Sequence, residues 1–525
     1  MKTKSNFERI VGVIISLLSV VFFFSFVFYE VYFRMIGVFG CFDQCFNYVA
    51  GFFLGQGRHL YSEIFFNHQV LMAYLSFLIQ QLTRPQTLYQ LVLYHRVFVF
   101  LYSLIWDILL SKRFRLKGVG FVIFYELTKY YFFGHFFLPE GLLVYPVVYL
   151  FGLWWEGDKS RLSRPDYLAA AVFTWLAIFL REVYIPLAFC LYCLILLQGK
   201  FNQVKKLSVG VFFLLTCLTL LFLPLKEYFF QVFKLNLLTT ASAEIREQGL
   251  GGLGSLKIFL YPFSLLYGGK WNNLRQYLFG VDLVFLTSVF YFVWSTKKIK
   301  QTFLLFFLLG LAAVRWVVPG TVYYEAFHLL SWYALFLMAV FFLLFDFLKK
   351  KAKGLFRIFL CVLPLCLIFL LLSPISYLKG KNNRVEEFTV NYAQYYTYGQ
   401  AIKTLAAPSD TLFLDLWDDL IYYQAGILPA YPYALYTPVM SDFPLYNNLR
   451  EKMFLTDPPD FYYAYCNDTS VLSSPLPKKV MDQYLSLNLN GKRSCLYVKK
   501  NKLKSIPSSK WEEISTLGFS ANFGL

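Results

Sequence analysis

What most constrains this chain is an alternation that repeats along most of its length. Apolar runs of about 15 to 23 residues are separated by short clusters of lysine and arginine. A helix of that length satisfies its own backbone hydrogen bonds while crossing hydrocarbon, and an open sheet or irregular loop cannot. Of the 525 residues, 58% are hydrophobic and 21% aromatic, so the pattern cannot be folded away into one soluble core. The sequence therefore reads as an all-α polytopic membrane protein.

Basic clusters fall at Lys2 to Arg9, Lys112 to Lys117, Asp158 to Arg164, Lys200 to Lys206, Lys297 to Lys300 and Lys349 to Arg357. Cytoplasmic loops retain lysine and arginine during insertion, so all six should face the cytoplasm. About eleven crossings meet that condition: 10–32, 89–110, 119–133, 141–155, 167–182, 184–198, 207–225, 278–295, 301–318, 327–346 and 356–375. Val70 to Leu82 is too short to cross and reads as interfacial or re-entrant. Ile10 to Tyr32 exceeds a signal-peptide core and has no small-residue cleavage site after it, so a retained helix is expected. The net charge of +18 is spread over many loops, which excludes a nucleic-acid stripe.

The result is a plasma-membrane protein with a cytoplasmic N-terminus and a loaded outer face. That face holds the loop 33–88, the turn Gly134 to Glu140, the segment 226–277 and everything after Ser376. Residues 1–375 form the membrane domain, and 376–525 a small extracytoplasmic α/β domain. In the tail, DTLFLDL, PDFYYAY and SCLYVKK have strand character, and WDDLIYYQAG reads as a helix ending at Gly426. Asp415, Asp418 and Asp419 are expected to cap and solvate a strand-to-helix junction. Cys190, Cys193, Cys217, Cys361 and Cys366 lie in apolar helices as small hydrophobes, whereas Cys41 with Cys45, and Cys466 with Cys495, can pair on an oxidising side.

Ionisable residues at a membrane rim are costly and therefore functional candidates. Outer-facing ones include Glu126, Lys129, His135, Glu140, Arg181, Glu182, Arg315, Glu325 and His328. Asp43 stands apart because it directly follows the first apolar run and opens the loop DQCFNYVAGFFLGQGRHLYSEIFFNHQ. An acid at that boundary ionises cheaply yet reaches amphiphile headgroups. Helix-ending, loop-pinning and ion-pairing roles compete with the functional reading for Asp43, Glu63, His68, Arg181 and Glu182. His328 can equally be a packing histidine. The glycine run GLGGLG lacks the strand-before, helix-after setting of a nucleotide site and reads as a mobile lid. Tyr323 and Tyr324 sit where a saccharide could stack.

The early acid, the turn GQGRHLY, the acidic residue and NHQ resemble the first outer loop of GT-C membrane glycosyltransferases. The likeness is greatest to bacterial relatives of protein mannosyltransferases and aminoarabinose transferases. The matching positions are Asp43, Gly57, Tyr61, Glu63, Asn67 and His68, with His328 in YYEAFHLLSWYALF at a later match. The family often has a second carboxylate after the first, where this chain has Gln44. The family's proline after the histidine is replaced by Gln69 and Val70.

The resemblance implies transfer of a glycosyl group from a polyprenyl-phosphate sugar donor to a glycan, lipid or protein acceptor on the outer face, usually with inversion. Such a step needs a base for the acceptor proton and cations for the departing phosphate. Asp43 is the expected base. Arg58, Arg181 and Arg315 are the expected phosphate-binding arginines, with Lys226 and Lys270 behind them. Tyr61, Glu63, His68 and His328 are expected to bind substrate or donor. A divalent metal stays open as a cofactor, while Gln44 argues for metal independence and no metal-ligand set is assigned. Membrane lipid is a partner and nucleic acid is not. The competing class is a transporter or flippase of lipid-linked saccharides without catalysis. A third is an assembly protein whose tail binds a cell-wall partner.

Overall fold

The computed structural model describes residues 43–521 except 158–161, 200–201, 237, 239–271, 314–326, 350–352, 380–383, 416–418, 442, 465–475 and 477. Before residue 43 it describes only 25–26, 29–30 and 34. The expected crossing 10–32, GLGGLG, Lys270, Arg315, Tyr323, Tyr324, Glu325, Cys41, Cys466 and Asp418 therefore lie wholly or mainly outside the described residues.

From 89 onward each expected crossing overlaps a helix, which does not by itself establish the number of crossings. These helices are Leu88–Phe114, Leu116–Thr128, Pro139–Gly157, Arg164–Leu180, Ile185–Leu196, Gln203–Leu221, Asn273–Thr296, Ile299–Ala312, Leu330–Lys349 and Lys353–Leu372. Among the described residues, 5 are long and apolar enough to cross a membrane by themselves. Their surroundings differ. Phe327–Asp346 is buried throughout, whereas Gln203–Leu221 leaves Phe213, Leu214, Leu218 and Leu221 exposed, as hydrocarbon-facing residues should be. The chain is a mostly helical, multi-pass membrane protein with a small sheet in its tail.

It divides into two compact units. The first comprises 1–40, 99–136 and 258–387. Within it Lys129 Nζ pairs with Glu126 Oε2 at 2.6 Å and donates to Ser103 Oγ at 2.8 Å, all of it buried. Glu126 and Lys129 are thus one internal ion pair a single turn apart, linked by Ser103 to Leu88–Phe114, which answers the cost of burying either alone. Tyr333 bonds Thr128 at 2.6 Å and Tyr277 at 2.9 Å, a second buried polar link.

The second unit comprises 41–98, 137–257 and 388–525. The loop expected on the outer face opens with the helix Gln44–Gly55, followed after a turn by Val70–Thr83. At 14 residues, the latter rises about 21 Å, short of a bilayer core. The two helices touch at Gly51, where an added Cβ would lie 2.7 Å from the Phe77 backbone nitrogen.

The tail forms a sheet ordered β2-β1-β3-β5-β4-β6. Its strands are β1 Thr411–Leu414, β2 Leu428–Pro429, β3 Phe461–Tyr463, β4 Tyr484–Leu489, β5 Lys492–Lys499 and β6 Phe519–Ser520. β1 pairs in parallel with β2 and β3, and the other pairings are antiparallel. The three strands expected from sequence are β1, β3 and β5. The helix Leu420–Ala425 ends at Gly426, whose φ of 67° is the left-handed stop a glycine permits. The tail's core is not its own alone: Phe65 and Leu235 pack among Phe413, Tyr431, Tyr446 and Phe454. Ala434 N also donates to Glu63 O at 2.7 Å.

The tail aspartates correct the capping expectation. Asp415 is buried, ion-paired with Arg450, and accepts from Tyr462 Oη at 2.9 Å. Asp419 precedes Leu420–Ala425 without a side-chain capping bond. A carboxylate at the end of a buried strand cannot be solvated, so an arginine neutralises it instead.

Candidate functional site

Asp43 immediately precedes the helix Gln44–Gly55, the position where aspartate ordinarily caps. Here it has αR backbone angles and makes no capping hydrogen bond. That leaves its carboxylate uncommitted to local structure. The helix is instead anchored by its next polar side chains. Buried Gln44 accepts through Oε1 from Tyr48 Oη at 2.8 Å and from Phe137 N at 3.3 Å, while Asn47 Nδ2 donates to Phe137 O at 3.2 Å. Gln44 thus stands where the family often has a carboxylate, and its carbonyl does structural work that a second negative charge would do at greater desolvation cost.

Those bonds hold the start of this helix to the turn before Pro139–Gly157, whose first turn carries buried Glu140. The remaining member comes from the end of Arg164–Leu180. There Arg181 leaves helical geometry at φ −153° and ψ 125°, and a short turn through Glu182 leads into Ile185–Leu196. Arg181 Nε lies 3.4 Å from Glu140 Oε1 and 3.4 Å from Glu182 Oε1, and Nη1 donates to His68 Nδ1 at 2.8 Å. Asp43 feels the same guanidinium and the same Glu140 electrostatically.

Asp43 is exposed to solvent, yet protein crowds its carboxyl closely enough that burial raises its pKa, opposed by Arg181 and reinforced by Glu140. Both conditions coexist when a side chain lines a recess, open on one side and packed on the others. Burial, and then Arg181, push His68 well below the ordinary histidine value. His68 is therefore neutral at pH 7, accepts through Nδ1, and carries its proton on Nε2.

His68 is held in turn by its loop. Phe46 and Phe66 meet its ring edge-on, with centroids 5.9 and 5.8 Å away, and Tyr61 Oη donates to His68 O at 2.9 Å. Tyr61 itself has φ of 70°, an unusual cost for a residue with a Cβ. Side chains from 228–236 clamp this loop. Gln231 accepts from Phe66 N at 2.9 Å and donates to Tyr61 O at 2.7 Å, Asn236 Nδ2 donates to Asn67 O at 2.7 Å, and Tyr228 Oη bonds Gln69 at 2.9 Å. Gln231 sits in a π-helical turn, Phe230–Leu235, which aims it at the loop.

The structure thus joins Asp43, His68 and Arg181, with Tyr61 behind them, and adds Glu140 and Glu182. Glu63 is elsewhere. It pairs with His59 Nδ1 at 2.6 Å, a bond that holds its carboxyl below the usual value, and it pins the loop surface. Arg58 follows the far end of the helix that starts after Asp43, about 18 Å along it. His328 is buried in the first unit against the Phe327 ring. Arg181 makes the ion pair with Glu182 that adjacency in sequence allows. Glu140 and Glu182 were visible as rim ionisables; Gln231, Asn236 and Tyr228 carried no signal, because their partners, backbone atoms for the first two and the Gln69 side chain for Tyr228, are distant in sequence. Among the described residues no His, Cys, Asp or Glu group of three or more could hold a metal ion. Cys45 and Cys495 are both disulfide-bonded, and Cys41 and Cys466 lie outside the described residues.

This cluster of an arginine among carboxylates is carried by a multi-pass helical protein whose fold a solved structure shares. The solved structure that shows it is ArnT from Cupriavidus metallidurans in the apo state. The TM-score is 0.53 at 10% identity, over 94% of this chain and 98% of that one. The same protein bound to undecaprenyl phosphate gives a TM-score of 0.47 at 10% identity, over 93% and 98%. No protein-family model and no curated protein matches the chain.

Proposed function

We propose that this protein is a glycosyltransferase that moves a sugar from a polyprenyl-phosphate donor to a glycan, lipid or protein acceptor outside the plasma membrane, with Asp43 as general base. The observation that carries the reading is the Asp43 carboxyl: it makes no capping hydrogen bond, is crowded by protein, and feels the charge of Arg181. In the step proposed, ionised Asp43 takes the acceptor hydroxyl proton as the oxygen attacks the anomeric carbon. The bond from that carbon to phosphate oxygen breaks, and its electron pair leaves with the phosphate. Arg181 keeps Asp43 ionised against its desolvation, while neutral His68, oriented by Tyr61, lines the recess. Arg181 and Arg315 are the proposed phosphate-facing cations, and Arg58, Glu63 and His328 are proposed to take part in substrate or donor binding.

The GT-C fold supports the donor class through the family resemblance. The disulfide-bonded cysteines support the sidedness, because Cys45 lies two positions from Asp43 and Cys495 lies in β5, and disulfides persist in oxidising compartments. In this reading about eleven crossings place the N-terminus inside, and the loops 33–88 and 226–277 and the domain 376–525 outside. The test is transfer from a polyprenyl-phosphate sugar by purified protein. Asp43→Asn should fold and insert normally, with transfer lost. Retained transfer by a folded Asp43→Asn protein refutes the assignment.

A further inference from the structure

The second unit holds a cleft of about 390 Å³ between the C-terminal half of Gln44–Gly55, the end of Val70–Thr83, and the tail helices near Lys403 and Tyr423. It opens at the end of Gln44–Gly55 opposite Asp43, about 18 Å along that 12-residue helix, so it is not the recess described above. Two cations, Arg84 and Lys403, line it, and no carboxylate does so among the described residues. Neither cation has an ion pair within the described residues, and both are exposed. The amides of Gln56, Gln81 and Gln424 also line it. Of these, Gln424 Nε2 donates to Gln400 Oε1 at 3.2 Å.

The walls supply flat apolar surface. Phe52 and Tyr423 meet edge to face with centroids 5.3 Å apart, and Tyr423 Oη donates to Pro85 O at 2.6 Å, which fixes the ring. Arg84 occupies the left-handed region at φ 45° where Val70–Thr83 stops. Glycine would do so without strain, so the arginine is kept at a conformational cost that its side chain must offset. Amides that both donate and accept suit sugar hydroxyls, aromatic rings suit sugar C–H faces, and two cations with no carboxylate beside them in the cleft favour an anion.

From this juxtaposition we infer that the cleft binds an acidic saccharide, a glycan bearing carboxylate or phosphate, at a site separate from Asp43. Arg84 and Lys403 take the charge, Gln56, Gln81 and Gln424 the hydroxyls, and Tyr423 a ring face. On the transferase reading this is where an anionic acceptor chain docks, but binding is measured without turnover and stands or falls independently.

The experiment is calorimetric titration of full-length protein in nanodiscs with a galacturonic-acid tetrasaccharide. The controls are a neutral glucose tetrasaccharide, tetraglutamate and inorganic phosphate. The uronic oligomer should bind at least about tenfold more tightly than each control, and Arg84→Gln and Lys403→Gln should each weaken it about tenfold or more, as loss of a charge-assisted hydrogen bond requires. Both positions are exposed, and unchanged melting of each variant shows that it folds. Asp43→Asn should bind the oligomer as the parent does. Equal binding of the neutral oligomer, or equal binding of tetraglutamate or phosphate, overturns the saccharide assignment. Unaltered affinity in both cation variants, or loss of binding in Asp43→Asn, overturns the location.

Discussion

Removing Arg181 tests the electrostatic core of the site. Its side chain is 7% exposed, Glu140 is 1% and Glu182 is 7%, and one Nε serves both carboxylates at equal distance. In Arg181→Gln two buried carboxylates lose the cation they share, and Asp43 loses the charge that opposes its desolvation. Breaking a buried pair by deleting one partner costs about 3–5 kcal/mol, because the other charge stays buried and uncompensated. Thermal unfolding in detergent should therefore show a large fall in stability. The double variant Arg181→Gln with Glu140→Gln should recover a substantial part of it, since one of the orphaned charges is gone. Additive losses in that cycle, or an Arg181→Gln protein within about 1 kcal/mol of the parent, would refute the cluster as drawn.

Four further outcomes follow from the same geometry. Transfer should rise with pH through a value above the ordinary carboxylate range, because the crowded Asp43 must ionise to act; a pH–rate profile with its acid limb in the ordinary range contradicts this. Since the folded state raises the Asp43 pKa, ionised Asp43 is destabilising at neutral pH and the penalty fades as pH falls toward the unfolded value. Asp43→Asn should consequently melt at or above the parent temperature at pH 7, and a marked drop would point to an unseen capping role. Gln231→Leu strands Phe66 N and Tyr61 O, at about 1–3 kcal/mol for each orphaned group, and should lower both transfer and the protease resistance of the loop. Gly51→Val should separate Gln44–Gly55 from Val70–Thr83, read as lowered melting with no recovery from added substrate.

How legible the molecule was depends on the range of the interaction concerned. Helix positions followed from apolar runs and basic flanks, because both signals are local. Thus 278–295 appears as Asn273–Thr296 and 207–225 as Gln203–Leu221. The strands β1, β3 and β5 carry aromatic and branched residues in short runs, but β4 with YLSLNL alternates weakly and gained its place by pairing with β5. Asp43, His68 and Arg181 were nameable singly, since rim charges are rare in apolar sequence. Their meeting was not, because it depends on Asn47 and Gln44 gripping Phe137 and on Gln231 gripping the loop, contacts spanning 90, 93 and 165 residues.

The same distance dependence explains why Arg181 acts differently from an arginine read off the chain. As an isolated rim cation it would be free to take two phosphate oxygens. Surrounded by Glu140, Glu182 and Asp43, it is outnumbered by acids, so its first effect is to let carboxylates remain charged in a crowded recess. A phosphate arriving there adds negative charge to an already acidic cluster. Binding it therefore requires either a proton on one carboxyl or a second cation. Where the proton and not the proposed second cation Arg315 meets that requirement, the donor's affinity falls as pH rises even while Asp43 becomes a better base, so kcat and the apparent donor affinity move in opposite directions across the acid limb. A profile in which both rise together would mean that the second cation meets it, or that the phosphate sits away from Arg181.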